Sequence, residues 1–490
     1  MQIRQADKPN MKRLLVYSNV PLWEIHYSEA IEISLQEAGD GAEVHFFQCH
    51  GELPSCPANK NHDLNVCARC IKQSNYVIKN ILGEKVKIFR LSEWRAGDQE
   101  VELNVRRHSD FFTVSHDGYP LASLVASDVA NHDKDAFFDF SGQREKINEM
   151  YKNAVILYEK TLSYIESNKI NEVAVWNGRR ASDGPVNYAA LKKGIKCYSF
   201  ISSSSLGRFV KVDGPNVFTL DSHRFAVKGL RENVFKIDGL TEIMRKQGEL
   251  FYRKQRYGDE TVSLGTSNFS ERHKNKVLVK KNRPLMVLFT SSVWEKFGVH
   301  DYRTDLYEDE YAGIKAILSD DDLLSKYDVV VRWHPNLTGC GRGEREWILA
   351  VEKITSKSVK HFLPEADVDS YYLLEQADVV VSFGSTLGVE ACYYGKPSVV
   401  LGPCIYDVLN VACFPYSHKN FIDVMSQALP VGDKDEALLY GFYEMDRCSE
   451  PFVYLQEKGG RFFYNGKRLK LNPTLFERVR RKMRCFLPPK

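Results

Sequence analysis

Four runs in the C-terminal half, Leu285 to Phe289, Asp328 to Arg332, Asp378 to Val381 and Ser398 to Leu401, are apolar on consecutive rather than alternate positions. A strand of that kind is buried on both faces, which requires a parallel sheet covered by helices on either side. Helical stretches separate the runs, as crossover connections between parallel strands demand. The N-terminal half repeats the alternation. Arg13 to Ser18 is a short apolar run, Ile25 to Glu37 is helix-like, and a second run, Ala42 to Phe47, follows Gly39. Further on, Met150 to Ser167 has helical periodicity, Glu172 to Trp176 is a strand, Val186 to Lys193 is helical, and Lys196 to Ile201 is a strand. The fold expected is α/β, with two doubly wound, Rossmann-like domains facing a cleft. Residues 1–240 form the first domain, and the polar, charged stretch 241–282 is read as a linker. Residues 283–430 form the second domain, and 431–490 form a helical, basic tail.

A chain of 490 residues is too long for one ordinary core, so this division agrees with size. Hydrophobic residues at 43% and charged residues at 27% are those of a globular protein without a disordered or fibrous signature. With 67 basic against 64 acidic side chains, the chain as a whole does not read as a nucleic-acid binder. The opening residues hold one short apolar run and no small-residue cleavage site, and nothing approaches the roughly 20 apolar residues that span a bilayer. A cytoplasmic protein is expected. Its eleven cysteines are an odd number, scattered outside one cluster, so reduced thiols are expected rather than a disulfide framework.

In doubly wound sheets ligands bind beyond the carboxyl ends of the strands, so the loops there hold the candidate chemistry. After the strand Asp378 to Val381 comes SFGSTLGVEACYYGKP, with Ser385 and Thr386 at a helix start. Hydroxyls and free N–H groups of a first helical turn suit a phosphate. Glu390, four residues after Thr386, lies one turn along the same face and suits ribose hydroxyls. After Asp328 to Arg332 comes WHPNL. Pro335 ends the strand and sets His334 at the cleft rim, where it can donate to a phosphate oxygen or protonate a leaving group. Thr290, Ser291 and Ser292 follow the domain's first strand as small hydroxyl donors.

These segments resemble bacterial capsule and O-antigen polysaccharide biosynthesis proteins, a family of GT-B glycosyltransferase fold. The resemblance lies in RWHPNL, in VDSYYLLEQADVVVSFGSTLGVEACYYGKP and more loosely in VLFTSS, with VWNGR and a cysteine-bearing segment in the N-terminal half. It implies that His334, Ser385 and Thr386 contact a donor phosphate and that Glu390 sits near its ribose. It also implies transfer of a sugar from a nucleotide-sugar donor to a surface polysaccharide or its lipid-linked precursor. Enzymes of similar build often work without a bound metal, and no Asp-x-Asp run stands in a cleft loop, so no cofactor is expected for catalysis. Alternatives are transfer of a polyol phosphate from a cytidine donor, epimerisation of a sugar nucleotide, and a non-catalytic part in capsule assembly.

The first domain is expected to hold the glycan or lipid-linked acceptor and the base. Asn177 and Arg179 follow Glu172 to Trp176 and are the acceptor-side candidates; Asp183 is on the same loop. Glu24, His26 and Glu29 follow the first strand. Asp183 and His26 join His334 as catalytic candidates, with Glu24 and Glu29 as alternative bases. Cys49, Cys56, Cys67 and Cys70 supply the ligand count of a tetrahedral zinc or iron–sulfur site, with His50 or His62 as alternative ligands. At the C-terminus, Leu475, Phe476, Val479, Met483 and Phe486 form an apolar stripe among arginines and lysines. That pattern fits a helix packed on the fold, or one lying on the inner face of the membrane.

Overall fold

The computed structural model describes residues 11–94, 101–203, 205–237, 239–258, 274–303, 306–354 and 358–471. Its strands are β1 (Arg13–Tyr17), β2 (Glu43–Phe47), β3 (Val86–Phe89), β4 (Glu172–Trp176), β5 (Lys196–Ser202), β6 (Arg208–Asp213), β7 (Leu285–Phe289), β8 (Asp328–Arg332), β9 (Val359–Phe362), β10 (Val379–Ser382), β11 (Ser398–Val400), β12 (Glu450–Pro451), β13 (Gln456–Glu457), β14 (Phe462–Tyr464) and β15 (Lys467–Arg468). One seven-stranded sheet has the order β12-β6-β5-β4-β1-β2-β3, and a five-stranded sheet has the order β11-β10-β7-β8-β9. From β3 to β5 in the first sheet, and throughout the second, neighbours run parallel.

The cause is visible in burial. All five residues of β7 are buried, and β10 is buried along its length. Each such Val or Leu contributes about 1.5–3 kcal/mol when taken from water, so both sheet faces must be covered. Each sheet also shows the doubly wound order, in which the first strand lies between the second and the fourth of its unit. The reversal falls between β1 and β4 in one domain and between β7 and β10 in the other. There the crossovers leave in opposite directions and open a crevice.

Two stretches differ from the sequence reading. Leu240–Tyr257, inside the expected linker, is a helix. Its Met244, Gly248, Phe251 and Tyr252 are buried, and it crosses the helix Lys434–Asp446 closely: a Cβ on Gly248 would stand 2.2 Å from the Leu438 carbonyl oxygen. The C-terminal region, expected to be helical, continues from that helix into strands. β12 pairs antiparallel with β6 of the first sheet, and β13, β14 and β15 form a small antiparallel sheet. Glu32 anchors this return by accepting the N–H groups of Val453, Tyr454 and Leu455. The apolar and basic stripe from Leu475 onward lies outside the described residues.

The two domains also touch directly. Asp135 of the first accepts the Gly343 and Glu344 N–H groups at the start of the helix Arg342–Glu352. Glu344 returns the contact by accepting the Ala136 N–H, and also takes the Tyr311 hydroxyl.

Candidate active site

The loop after β7 is the centre of the second domain's crevice. Thr290 Oγ1 accepts the His334 N–H at 2.9 Å, which ties the ends of β7 and β8 together. Ser292 Oγ lies 3.2 Å from His334 Nδ1, and that nitrogen also accepts the Asn336 N–H at 3.1 Å. Nδ1 therefore acts as an acceptor, and a neutral ring carries its proton on Nε2. Burial, with the charges of Arg332 and Lys296, pushes His334 down to about 4. A neutral ring in this setting donates a hydrogen bond through Nε2.

Ser291 is held differently. Its N–H donates to Glu310 Oε1 at 2.6 Å and its hydroxyl donates to Oε2. Burial pushes Glu310 up to about 7, the hydrogen bonds from Ser291 opposing it. Ser291, Glu310 and Lys296 line a cavity of about 590 Å³, closed on the far side by Phe383 and Gly402 and on the first-domain side by Arg106 and Phe112. Of the residues expected to bind the donor, only Ser291 lines it.

The β10 segment is built more tightly than its sequence implies. Gly384 has φ +79, and a Cβ there would stand 2.6 Å from the Pro403 carbonyl oxygen, so glycine is required. At Gly388 a Cβ would meet the Tyr406 hydroxyl at 2.5 Å, so the close neighbour is protein. The helix Leu387–Tyr393 is short. Glu390 lies inside: Oε2 accepts the Tyr371 hydroxyl at 2.6 Å and Oε1 accepts the Thr386 hydroxyl at 2.9 Å, with 2% of the residue exposed. Both oxygens are engaged within the protein, so the carboxylate braces the loop instead of meeting a ribose. Ser385 Oγ accepts the Leu387 N–H at 3.4 Å and keeps its own proton for another partner.

Across the cleft, the loop after β4 passes through two left-handed residues, Asn177 (φ +66) and Gly178 (φ +77). A Cβ on Gly178 would come within 2.3 Å of the Pro215 carbonyl oxygen. Arg179 was expected to hold the acceptor, but the structure commits it to the domain junction. Its guanidinium donates to the Glu295 carbonyl oxygen and, at 3.0 Å, to Asn131 Oδ1, and it stacks over Phe218. Burial lowers it to about 10. Glu295 in turn accepts the Asn336 side chain at 2.8 Å, so Arg179 is linked to the His334 loop.

Asp183 is fully buried, with one oxygen accepting the Arg180 N–H at 2.9 Å and the other without a protein partner. Burial raises it to about 8, and Asp128 nearby adds to the effect. Glu24 pairs with Arg468 at 3.0 Å, so it is a brace for the C-terminal return rather than a base. His26 is placed otherwise. Its Nδ1 lies 2.9 Å from Ser202 Oγ and 3.7 Å from Glu29 Oε1, and Ser202 donates to that same carboxylate. The ring sits against Trp23 and Trp176, with centroids 5.7 and 5.3 Å away. A histidine oriented through one nitrogen by a buried carboxylate leaves the other nitrogen to take a proton.

Sequence reasoning missed Lys296 and Glu310. Lys296 was within reach, four residues beyond Ser292 in the same post-strand loop. Glu310 lies beyond it at the start of the helix Glu310–Leu318, and no motif connects it to Ser291.

All ten cysteines among the described residues are unpaired. Cys49 Sγ accepts the Gly51 N–H at 3.3 Å, and Cys67 Sγ accepts the Asn59 side chain at 3.2 Å. Burial raises Cys49, Cys56 and Cys70 to about 12. His62 is turned away onto the Gly51 carbonyl oxygen. Among the described residues, no group of three or more His, Cys, Asp or Glu side chains is arranged to hold a metal ion. Nor is any helix among them long and apolar enough to cross a membrane.

Comparison with solved structures returns a KpsC β-Kdo 2,4 transferase of Thermosulfurimonas dismutans, 13% identical, covering 64% of this chain and 87% of that one at a TM-score of 0.36. The β-Kdo 2,7 transferase of the same organism is 15% identical, covering 66% and 89% at 0.33. A UDP-GlcNAc 2-epimerase of Neisseria meningitidis is 12% identical, covering 89% and 98% at 0.23. No curated protein sequence matches the chain. One family model does match, over the stretch that carries the β7, β8 and β10 loops: residues 271–413 are similar to the capsule polysaccharide biosynthesis protein family.

Proposed function

We propose that the chain is a glycosyltransferase that moves a sugar from a nucleotide-sugar donor to a capsule-type polysaccharide or its lipid-linked precursor. One observation carries this reading: two doubly wound domains bring their strand-end loops together across one cleft, joined where Arg179 meets Glu295. The family match over residues 271–413 supports it, and so does a cavity beside the β7–β10 reversal whose rim includes loops from both domains. In this reading Ser385 and the Nε2 proton of His334 address the donor phosphate, while Ser291 ties Glu310 to the cavity wall. His26, held by Glu29 and Ser202, takes the acceptor hydroxyl's proton. Trp23 beside it, packed edge-on against the buried Trp176, is exposed and offers an apolar face on which a sugar ring can stack.

The test is a thermal-shift screen of UDP, GDP, dTDP and CMP, followed by sugar transfer from the matching donor. A ligand that binds only the native state raises its stability. A nucleotide that raises Tm and a new glycosidic bond are the expected results; absence of both removes the reading.

The four cysteines are proposed as a structural zinc site apart from catalysis. Support comes from the ligand count and from N–H donors already aimed at sulfur: Gly51 on Cys49, and Ala58 and Asn59 on Cys56. Groups of that kind steady metal-bound ligands. Elemental analysis is expected to find one zinc per chain; folded protein free of metal ends the proposal.

A further inference from the structure

Lys296 ends the short helix Val293–Lys296 in the loop after β7 and lines the cavity beside the β7–β10 reversal. Its ammonium reaches across the reversal to the Gly384 carbonyl oxygen, at 3.4 Å, and lies 4.6 Å from the centre of the Tyr302 ring. Both contacts are weak for an ammonium, which carries three donors. Among the described residues no carboxylate comes within ion-pair distance, although the charges of Glu310 and Glu295 lie near enough to favour the cation. Burial works against it and lowers its proton affinity. A charged group taken out of water without a close partner is costly. The loop cannot simply swing away, because Gly298 packs on the first domain. A Cβ at that position would stand 2.4 Å from the Ser123 carbonyl oxygen.

We infer that Lys296 is the cation that meets the phosphate of the donor and neutralises it as it leaves. The inference rests on the glycosyltransferase reading and deepens it. The geometry supplies the partners: Lys296 and Ser291 line the same cavity, and the Gly384 carbonyl that Lys296 touches adjoins Ser385 on the other side of the reversal. A phosphate seated there takes a positive charge from one loop and the Ser385 hydroxyl proton from the other. In the transfer step the bond between the anomeric carbon and the phosphate oxygen breaks, and its electron pair stays on that oxygen. The acceptor oxygen forms the new bond to the carbon and gives its proton to the base. Negative charge thus accumulates on the phosphate as the bond lengthens, and a fixed cation lowers the energy of that state more than that of the bound donor.

The experiment compares wild type, Lys296→Met and Lys296→Arg with UDP, GDP, dTDP and CMP and with the nucleosides that lack phosphate. Met keeps the length and apolar stem while removing the charge. For the nucleotide that binds wild type, K296M is expected to bind about 10- to 100-fold more weakly, K296R to keep most of the affinity, and the nucleoside to bind all three alike. Turnover by K296M falls further than its KM rises. A measurement on wild type alone is the protection of Lys296 from reductive methylation by that nucleotide. Unchanged nucleotide affinity in K296M, or unchanged methylation, overturns the inference while leaving the glycosyltransferase reading in place. If none of the four nucleotides binds wild type, the parent reading fails and this one with it.

Discussion

The two strand-order reversals share a topology and differ in how their polar groups are spent. In the second domain Thr290, Ser291, Ser292, Thr386 and Glu390 are each hydrogen-bonded within the protein, so these loops are held in place before any ligand arrives, while Ser382 Oγ at the end of β10 is buried without a protein partner. In the first domain Ser18 Oγ, Asn19 Oδ1, Asn177 Oδ1, Ser182 Oγ and Asp183 Oδ2 are buried without a protein partner. Buried polar atoms in native proteins are nearly always satisfied, so such a concentration calls for partners from outside the chain. The second-domain crevice keeps few open groups, Ser385 and Lys296 among them, as suits a compact group such as phosphate. The other keeps its hydrogen-bonding capacity for water or for a polyhydroxylated acceptor.

The largest effect expected from this difference is on turnover. His26→Gln keeps the ring's volume in part but cannot accept a proton, and it should lower kcat by about 10²- to 10⁴-fold while nucleotide affinity stays near wild type. Equal losses of nucleotide binding and turnover would show that the two crevices do not divide the work in this way. A smaller effect, on stability, follows from the glycine that shapes the first-domain loop. Gly178→Ala combines a positive φ with a clash at the Pro215 carbonyl and should cost at least ~1–3 kcal/mol, read as a lower denaturant midpoint.

The smallest effect separates the two candidate bases. Asp183→Asn imitates the protonated acid, so it should keep turnover within about tenfold of wild type if His26 is the base; a loss like that of H26Q would transfer the role to Asp183. Its signature is instead the pH profile of stability. Asp183 binds its proton more tightly folded, at about 8, than at its ordinary value of 3.8. The stability this contributes is full below the unfolded value and is lost as pH rises through the folded one. Wild-type Tm should therefore fall relative to D183N between pH 4 and pH 8. Parallel profiles would mean that the carboxyl is already ionised in the folded protein.

The parts of the fold that were legible from residues are those with a local physical signal. β7 and β8 were readable to the residue because five consecutive positions are mostly apolar, and only a central parallel strand needs that. β9 was not, since its four residues carry only one buried side chain at the sheet edge. The helix Leu240–Tyr257 did carry apolar residues at helical spacing, Met244, Phe251 and Tyr252, but the polar stretch around them hid the period. The antiparallel return of β12 onto β6 joins residues far apart in the chain through two-residue pairing, for which no local pattern exists.

By itself the amino-acid sequence determined the two doubly wound units, the places where their loops must converge, and the candidates His334, Ser291 and His26 as groups at strand ends. These follow from burial periodicity and from where a strand must stop, which are properties of neighbouring residues. Tertiary structure alone decided what each group does. It turned Glu390 and Arg179 into braces, made His334 neutral by burying it beside Arg332 and Lys296, gave His26 its carboxylate, and brought Glu310 to Ser291. A side chain's proton affinity and remaining hydrogen-bond capacity are set by what surrounds it, and those surroundings come from distant parts of the chain.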